Sequence, residues 1–199
     1  MNKTKQRKNM RANFLFETQV LKRLKRTGWQ ILGVEDESIS EHLYLTAVIT
    51  FVLAKQLNVD MGKVLTMALF HDTHETRVGD VDKIALGYIK RDISKANKDI
   101  FQGLPFGKEV LLILGEYEKK KSLEARLVYE ANVIALIIQL KTHVDRGNLH
   151  AKEWLMANKE RVSLKESKTL VAEIMKTDSQ DFWQDIRNKL HSGFKNKKE

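Results

Sequence analysis

The apolar positions of this chain recur at intervals of three and four, the period of a helix face. From Ser40 onward they fall at Leu45, Val48, Ile49, Val52 and Leu53, and His42 lies three residues before the first of these. Asp60 precedes the next periodic stretch and reads as its N-cap. There Val64, Met67 and Ala68 occupy i, i+3 and i+4, with His71 at i+7. Each histidine thus sits at the edge of an apolar face near one end of a helix. Antiparallel packing of the two helices would bring the imidazoles together.

The same pattern extends along the chain. Residues 14–24 predict a first helix, ending near the turn "RTGW" at 26–29. "GVEDES" makes a polar loop. Residues 109–120 predict a helix with a Leu/Ile face. Ser122 caps a long helix that ends before Gly147 and is apolar through its middle, so it is expected to be central and buried. His143 and Asp145 then fall at an exposed, solvated helix end. Trp154 and residues 164–175 mark one or two further helices, and "DFWQDIRNKL" an amphipathic one that closes the fold. "GDVDKIALGYIK", after a Gly break, reads as a short helix or a loop. "KRDISKANKDIFQGLPFG" reads as the least regular region.

Composition sharpens this into an all-α single domain. A length of 199 residues suffices for one real core, and 1 Pro with 10 Gly argues against a turn-rich β sandwich. With 0 Cys, disulfides and thiolate metal sites are excluded. No apolar run is long enough to span a bilayer, and no apolar stretch follows the basic N-terminus, so the protein reads as cytoplasmic. The net charge of +9 comes from the ends: five positive charges in residues 1–11 and a net four in 187–199, leaving 12–186 formally neutral. The expected organisation is a helical domain over 12–190 between basic tails at 1–11 and 191–199. Nucleic-acid binding as the main function gains little from a neutral body.

The chemistry concentrates in "FHDTHETRVGD", residues 70–80, which holds two of the 6 His among three carboxylates. Burying such groups unpaired is costly, and a divalent cation or a solvated helix end would relieve the cost. With "EH" at 41–42 and a polar Asn132 inside the long apolar helix, the chain offers two His, one Asp and one further oxygen, a plausible N/O donor set from three helices. Neighbours such as His71 and Asp72 point about 100° apart on a regular helix, so both reach one ion only at a helix end or through flexible side-chain geometry.

These residues resemble the HD-domain phosphohydrolases, in the branch related to the 5'-deoxynucleotidases. The resemblance rests on an ordered set: "RTGW" (26–29), "SEH" (40–42), "HDTHE" (71–75), "GD" (79–80) and "EARLVYEAN" (124–132), spanning roughly residues 14–146. It implies an all-α HD fold and metal-dependent hydrolysis of a phosphate monoester, with a nucleoside 5'-monophosphate, in its deoxy form, as substrate. His42, His71 and Asp72 would hold a divalent cation (Mn, Co, Ni, Zn or Fe), with Asn132 as fourth ligand where the family usually carries Asp. Glu75 would orient or deprotonate a water, and Asp80 would assist proton transfer or brace the site. Arg26 would pair with phosphate, and Trp29 would pack against the sugar and exclude a 2'-hydroxyl. A homodimer is expected, with the apolar face of the C-terminal helices as its interface. Two other readings stand beside this one: a degenerate HD domain that binds nucleotide or metal with little turnover, which Asn132 favours, and an HD-type phosphodiesterase or nuclease held to a polyanion by the basic tails.

Overall fold

A computed structural model of the protein describes residues 9–34 and 37–195. Residues 1–8 and 196–199 of the two basic tails fall outside them. Where the described residues reach in, the ends are helical: α1 (Met10–Thr18) begins within the N-terminal tail, and the last helix continues to Lys195.

Among the described residues the architecture is helical, with one isolated bridge between Lys25 and Ser38 and no strand. After α1 come a 3-10 turn (Gln19–Lys22), the one-turn α2 (Gly28–Ile31), α3 (Ile39–Ala54), α4 (Met61–Phe70) and the short α5 (Glu75–Val78). Then follow α6 (Ile93–Phe101), α7 (Gly107–Lys119), α8 (Leu123–Asp145), α9 (Leu149–Lys159), α10 (Lys165–Lys176) and α11 (Gln184–Lys195). "RTGW" is therefore a turn that passes directly into α2. Residues 93–101, expected to be irregular, form α6. Asp92 caps it by accepting from Lys95 N at 2.9 Å, and it buries Ala96, Ile100 and Phe101. The polar surface of this helix obscured its narrow apolar stripe.

Caps start the helices where side-chain oxygens meet otherwise unpaired N–H groups. Asp60 accepts from Lys63 N at 3.0 Å and Ser122 from Ala125 N at 3.2 Å. Ser38 and Glu41 form a reciprocal capping box: Ser38 Oγ accepts from Glu41 N, and Glu41 Oε2 accepts from Ser38 N at 2.7 Å. The box fixes the first turn of α3, which carries His42.

Helix α8 is the axis of the domain. It buries Ala125, Leu127, Val128, Ala131, Ile134, Ile137 and Leu140, and α3, α4, α7, α9 and α10 pack around it. Its apolar circumference explains this position, since a helix apolar all round has no face to give to water. Helix α3 turns a different face inward from the one its spacing suggests. Ile39, His42, Leu43, Thr46, Ile49, Thr50 and Leu53 are buried, while Val48 and Val52 are over 40 % exposed. The helix is apolar on nearly every side, so two small threonines, rather than the valines, face the crowded interior.

Replacing Ile134, fully buried on α8, should show how far the fold depends on this axis. Ile134→Ala is expected to cost about 3 kcal/mol. Urea unfolding should report this as a lower midpoint at unchanged slope. A loss below about 1 kcal/mol would mean that α8 is not the central support.

Candidate metal centre

The start of α3 lies beside the end of α4, as antiparallel packing requires. His42 occupies the first turn of α3, and His71 is the C-cap residue of α4. Their ring centroids are 5.9 Å apart. Because α4 ends here, Asp72 is free to turn back toward His71. Its Oδ2 lies 3.2 Å from His71 Nε2 and 4.0 Å from His42 Nε2. Donor atoms of His42, His71 and Asp72 all lie within 4.8 Å of one another. From α8, Asn132 Oδ1 comes within 2.9 Å of His42 Nε2, while its amide nitrogen donates to the Tyr117 hydroxyl at 3.2 Å. The structure thus brings together the four side chains that the sequence marks as candidate ligands.

The protonation pattern suits a cation. His71 Nδ1 lies 3.0 Å from the carbonyl oxygen of Ala68, the position for donating its proton there. In that tautomer Nε2, buried and 3.2 Å from Asp72 Oδ2, turns its lone pair toward the space between the two, where a cation would be held by both. Burial and the nearby Arg26 guanidinium lower the pKa of His42, keeping it in the neutral form that ligates. Burial alone would raise Asp72, but His71, His42 and Arg26 outweigh it and hold the carboxyl far below the usual range. Two imidazoles, a carboxylate and an amide oxygen fit a divalent metal of borderline hardness.

Glu75 opens α5, one turn beyond His71, and is only 5 % exposed. Burial first, then the carboxylates of Asp72 and Asp80, push its pKa up to about 10. Its Oε2 has no hydrogen-bond partner, and Arg91 NH1 lies 3.8 Å from Oε1 while also donating to Gly79 O. His74, also buried, completes a second close group with Asp72 and Glu75.

Arg26 stands 3.6 Å from Asp72 Oδ2 and borders a cavity of about 510 Å³. Trp29, Asp80, Ile84, Leu136 and Trp154 also line it. Asp80 does not cap the following residues; Asp82 does, accepting from Ile84 N and Ala85 N. Asp80 Oδ2 instead accepts from Thr27 N at 2.6 Å and lies 3.4 Å from its hydroxyl, latching the "GD" turn to "RTGW". Trp29 is almost wholly buried, donates its indole N–H to Glu37 at 3.0 Å and packs on His143 at 5.3 Å between centroids. His143 is therefore a core residue, not a solvated one: α8 stays buried to its last turn because Trp29 covers it. Glu37, Tyr117, Thr27 and Arg91 escaped the sequence reading. Each acts through a loop or a contact of high sequence separation, and none carries a periodic signal.

The HD domain family matches residues 18–176. A mouse protein named 5'-deoxynucleotidase HDDC2 is 37 % identical over 135 residues, covering 64 % of this chain and 67 % of its own length. Its human counterpart is 35 % identical over 131 residues, covering 63 % and 64 %. Among solved structures, a conserved hypothetical protein from Pyrococcus furiosus superposes with a TM-score of 0.72 at 29 % identity, over 83 % of this chain and 99 % of that one.

The raised pKa of Glu75 has a stability consequence. The folded protein holds this proton more tightly than the unfolded chain does. The contribution is therefore fully present below about pH 4.5 and is lost progressively as pH climbs toward 10. In chelator-treated protein, Glu75→Gln should match wild type near pH 4.5 and melt higher at pH 8, by roughly 2–4 °C for each kcal/mol relieved. A gap that closes with rising pH would contradict this electrostatic picture.

Proposed function

The chain belongs to the HD domain family, and from that premise we propose that it is a metal-dependent phosphomonoester hydrolase acting on nucleoside 5'-monophosphates, the deoxy forms foremost. One observation carries the reading: donor atoms of His42, His71 and Asp72 converge within 4.8 Å of one another in a buried setting, next to a cavity with room for a nucleotide. The mouse and human relatives, matched over about two thirds of their lengths, bear names of the same activity.

His42, His71, Asp72 and Asn132 would hold the metal. A divalent cation supplies a Lewis acid for a phosphoryl oxygen and acidifies a water. Arg26, between Asp72 and the cavity, receives the phosphate with its planar fork. Glu75, which burial and negative neighbours keep protonated in the metal-free protein, would orient the attacking water and would accept its proton only in the ionised form that a bound cation beside Asp72 would favour. Asp80 holds the "RTGW" turn, and with it Arg26 and Trp29, through its bonds to Thr27. Trp29 forms a rigid wall of the cavity, which suits steric exclusion of a 2'-hydroxyl. A homodimer and a cytoplasmic location belong to the same reading. Phe182, Ile186 and Leu190 make an exposed apolar row near the C-terminus for a second copy to cover, and no helix among the described residues is long and apolar enough to cross a membrane.

Asn132 supports a second reading, a domain that binds metal or nucleotide with little turnover, because a neutral amide stands where the resembled family carries a carboxylate. Phosphate release from 5'-dNMPs, NMPs and 3'-phosphates separates the two. With Mn, Co or Zn the protein should hydrolyse 5'-dNMPs, and EDTA should stop it. Glu75→Gln should lower kcat by about 10²–10⁴. Activity confined to Asn132→Asp would favour the second reading, and inactivity of both proteins would exclude the phosphatase.

A further inference from the structure

Outside the four candidate ligands, the buried carboxylate of Glu37 is a group that the proposed chemistry leaves unexplained. Only 6 % exposed, it lies in the loop before α3. Its Oε2 accepts the indole N–H of Trp29 at 3.0 Å, and its Oε1 faces His42 Nδ1 at 3.7 Å. The backbone fixes this placement: Arg26 N donates to Glu37 O at 2.9 Å, and Ile39 N donates to Leu24 O at 2.9 Å. Burying a carboxylate is costly, and an apolar residue of like size would pack here more cheaply. The two oxygens therefore point to a pairing role.

Resting on the metal-centre reading above, we propose that Glu37 is a positioning residue that fixes the tautomer of His42 for metal binding and couples that histidine to the Trp29 wall of the cavity. An imidazole ligates through the nitrogen that lacks the proton. His42 Nε2 faces Asp72 and lies 2.9 Å from Asn132 Oδ1, an acceptor to which it can only donate in the metal-free protein; ligation through Nε2 would therefore require the proton to move to Nδ1, and Glu37 Oε1 is the acceptor facing that nitrogen. Closing 3.7 Å to hydrogen-bond length takes a movement of under about 1 Å. His71 achieves the same tautomer through the Ala68 carbonyl. The His42 anchor differs because its other oxygen grips a residue that lines the cavity, so metal occupancy and cavity shape share one carboxylate.

Glu37→Gln separates pairing from packing. Glutamine has one acceptor oxygen, which serves either Trp29 or His42. With the oxygen on Trp29, its NH2 faces His42 Nδ1 and drives the proton to Nε2, where it blocks ligation. Zinc binding to Glu37→Gln should weaken about 10–100-fold. In a Trp154→Phe, Trp183→Phe background, the zinc-induced change in Trp29 fluorescence should disappear. Wild-type affinity in a folded Glu37→Gln protein, or an unchanged Trp29 response, would overturn the proposal. A further measurement needs no variant at position 37. In wild-type protein with ¹⁵N-labelled histidine, added zinc should shift His42 Nε2 and leave Nδ1 protonated; coordination through Nδ1 would overturn it. These readouts use no nucleotide, so they stand apart from the success or failure of the nucleotidase reading.

Discussion

Two imidazoles and a carboxylate meet inside an apolar helical core with more lone pairs than hydrogen-bond donors to satisfy them. That imbalance organises much of what surrounds them. His71 gives its proton to a backbone carbonyl, Asn132 turns its carbonyl oxygen inward because Tyr117 takes its amide, and Asp72 is flanked by Arg26. A core built for stability alone would fill this space with apolar side chains. Donors held in one orientation with their lone pairs unused are what a cation requires, and each costs folding free energy without one.

The carboxylates divide along the same line. Asp72 is surrounded by positive and polarisable neighbours and stays ionised, whereas Glu75, three residues on, is buried beside other acids and keeps its proton. Neighbouring groups with proton affinities driven apart are the usual basis for assigning distinct acid and base roles. Here the split follows from placement: Asp72 faces the histidines and Arg26 at the end of α4, and Glu75 begins the next helix buried beside the carboxylates of Asp72 and Asp80.

Much of this was legible in the sequence, and the reasons are local. His42, His71 and Asn132 announce themselves as polar residues on otherwise apolar faces, and Asp60 and Ser122 as caps ahead of periodic stretches. The register of α3 was not legible, because a helix apolar on nearly all sides gives periodicity nothing to choose between. Helix α6 was hidden by its polar surface. His143 was misplaced because its cover, Trp29, lies 114 positions away. Glu37 and Arg91 sit in loops, where spacing carries no information about what a side chain will meet.

The candidate ligands are residues 42, 71, 72 and 132, the last of them on the central helix α8. A ribosome therefore releases both histidines and the aspartate long before the chain that completes their shell. Until α8 docks, the nascent segment holds three loose donors with no fixed geometry, weak competitors for any ion. Metal capture at such a site would belong to the end of folding rather than its beginning. A cation found in this site would mark a chain whose axis is already in place, and its loss would loosen the finished domain from the inside.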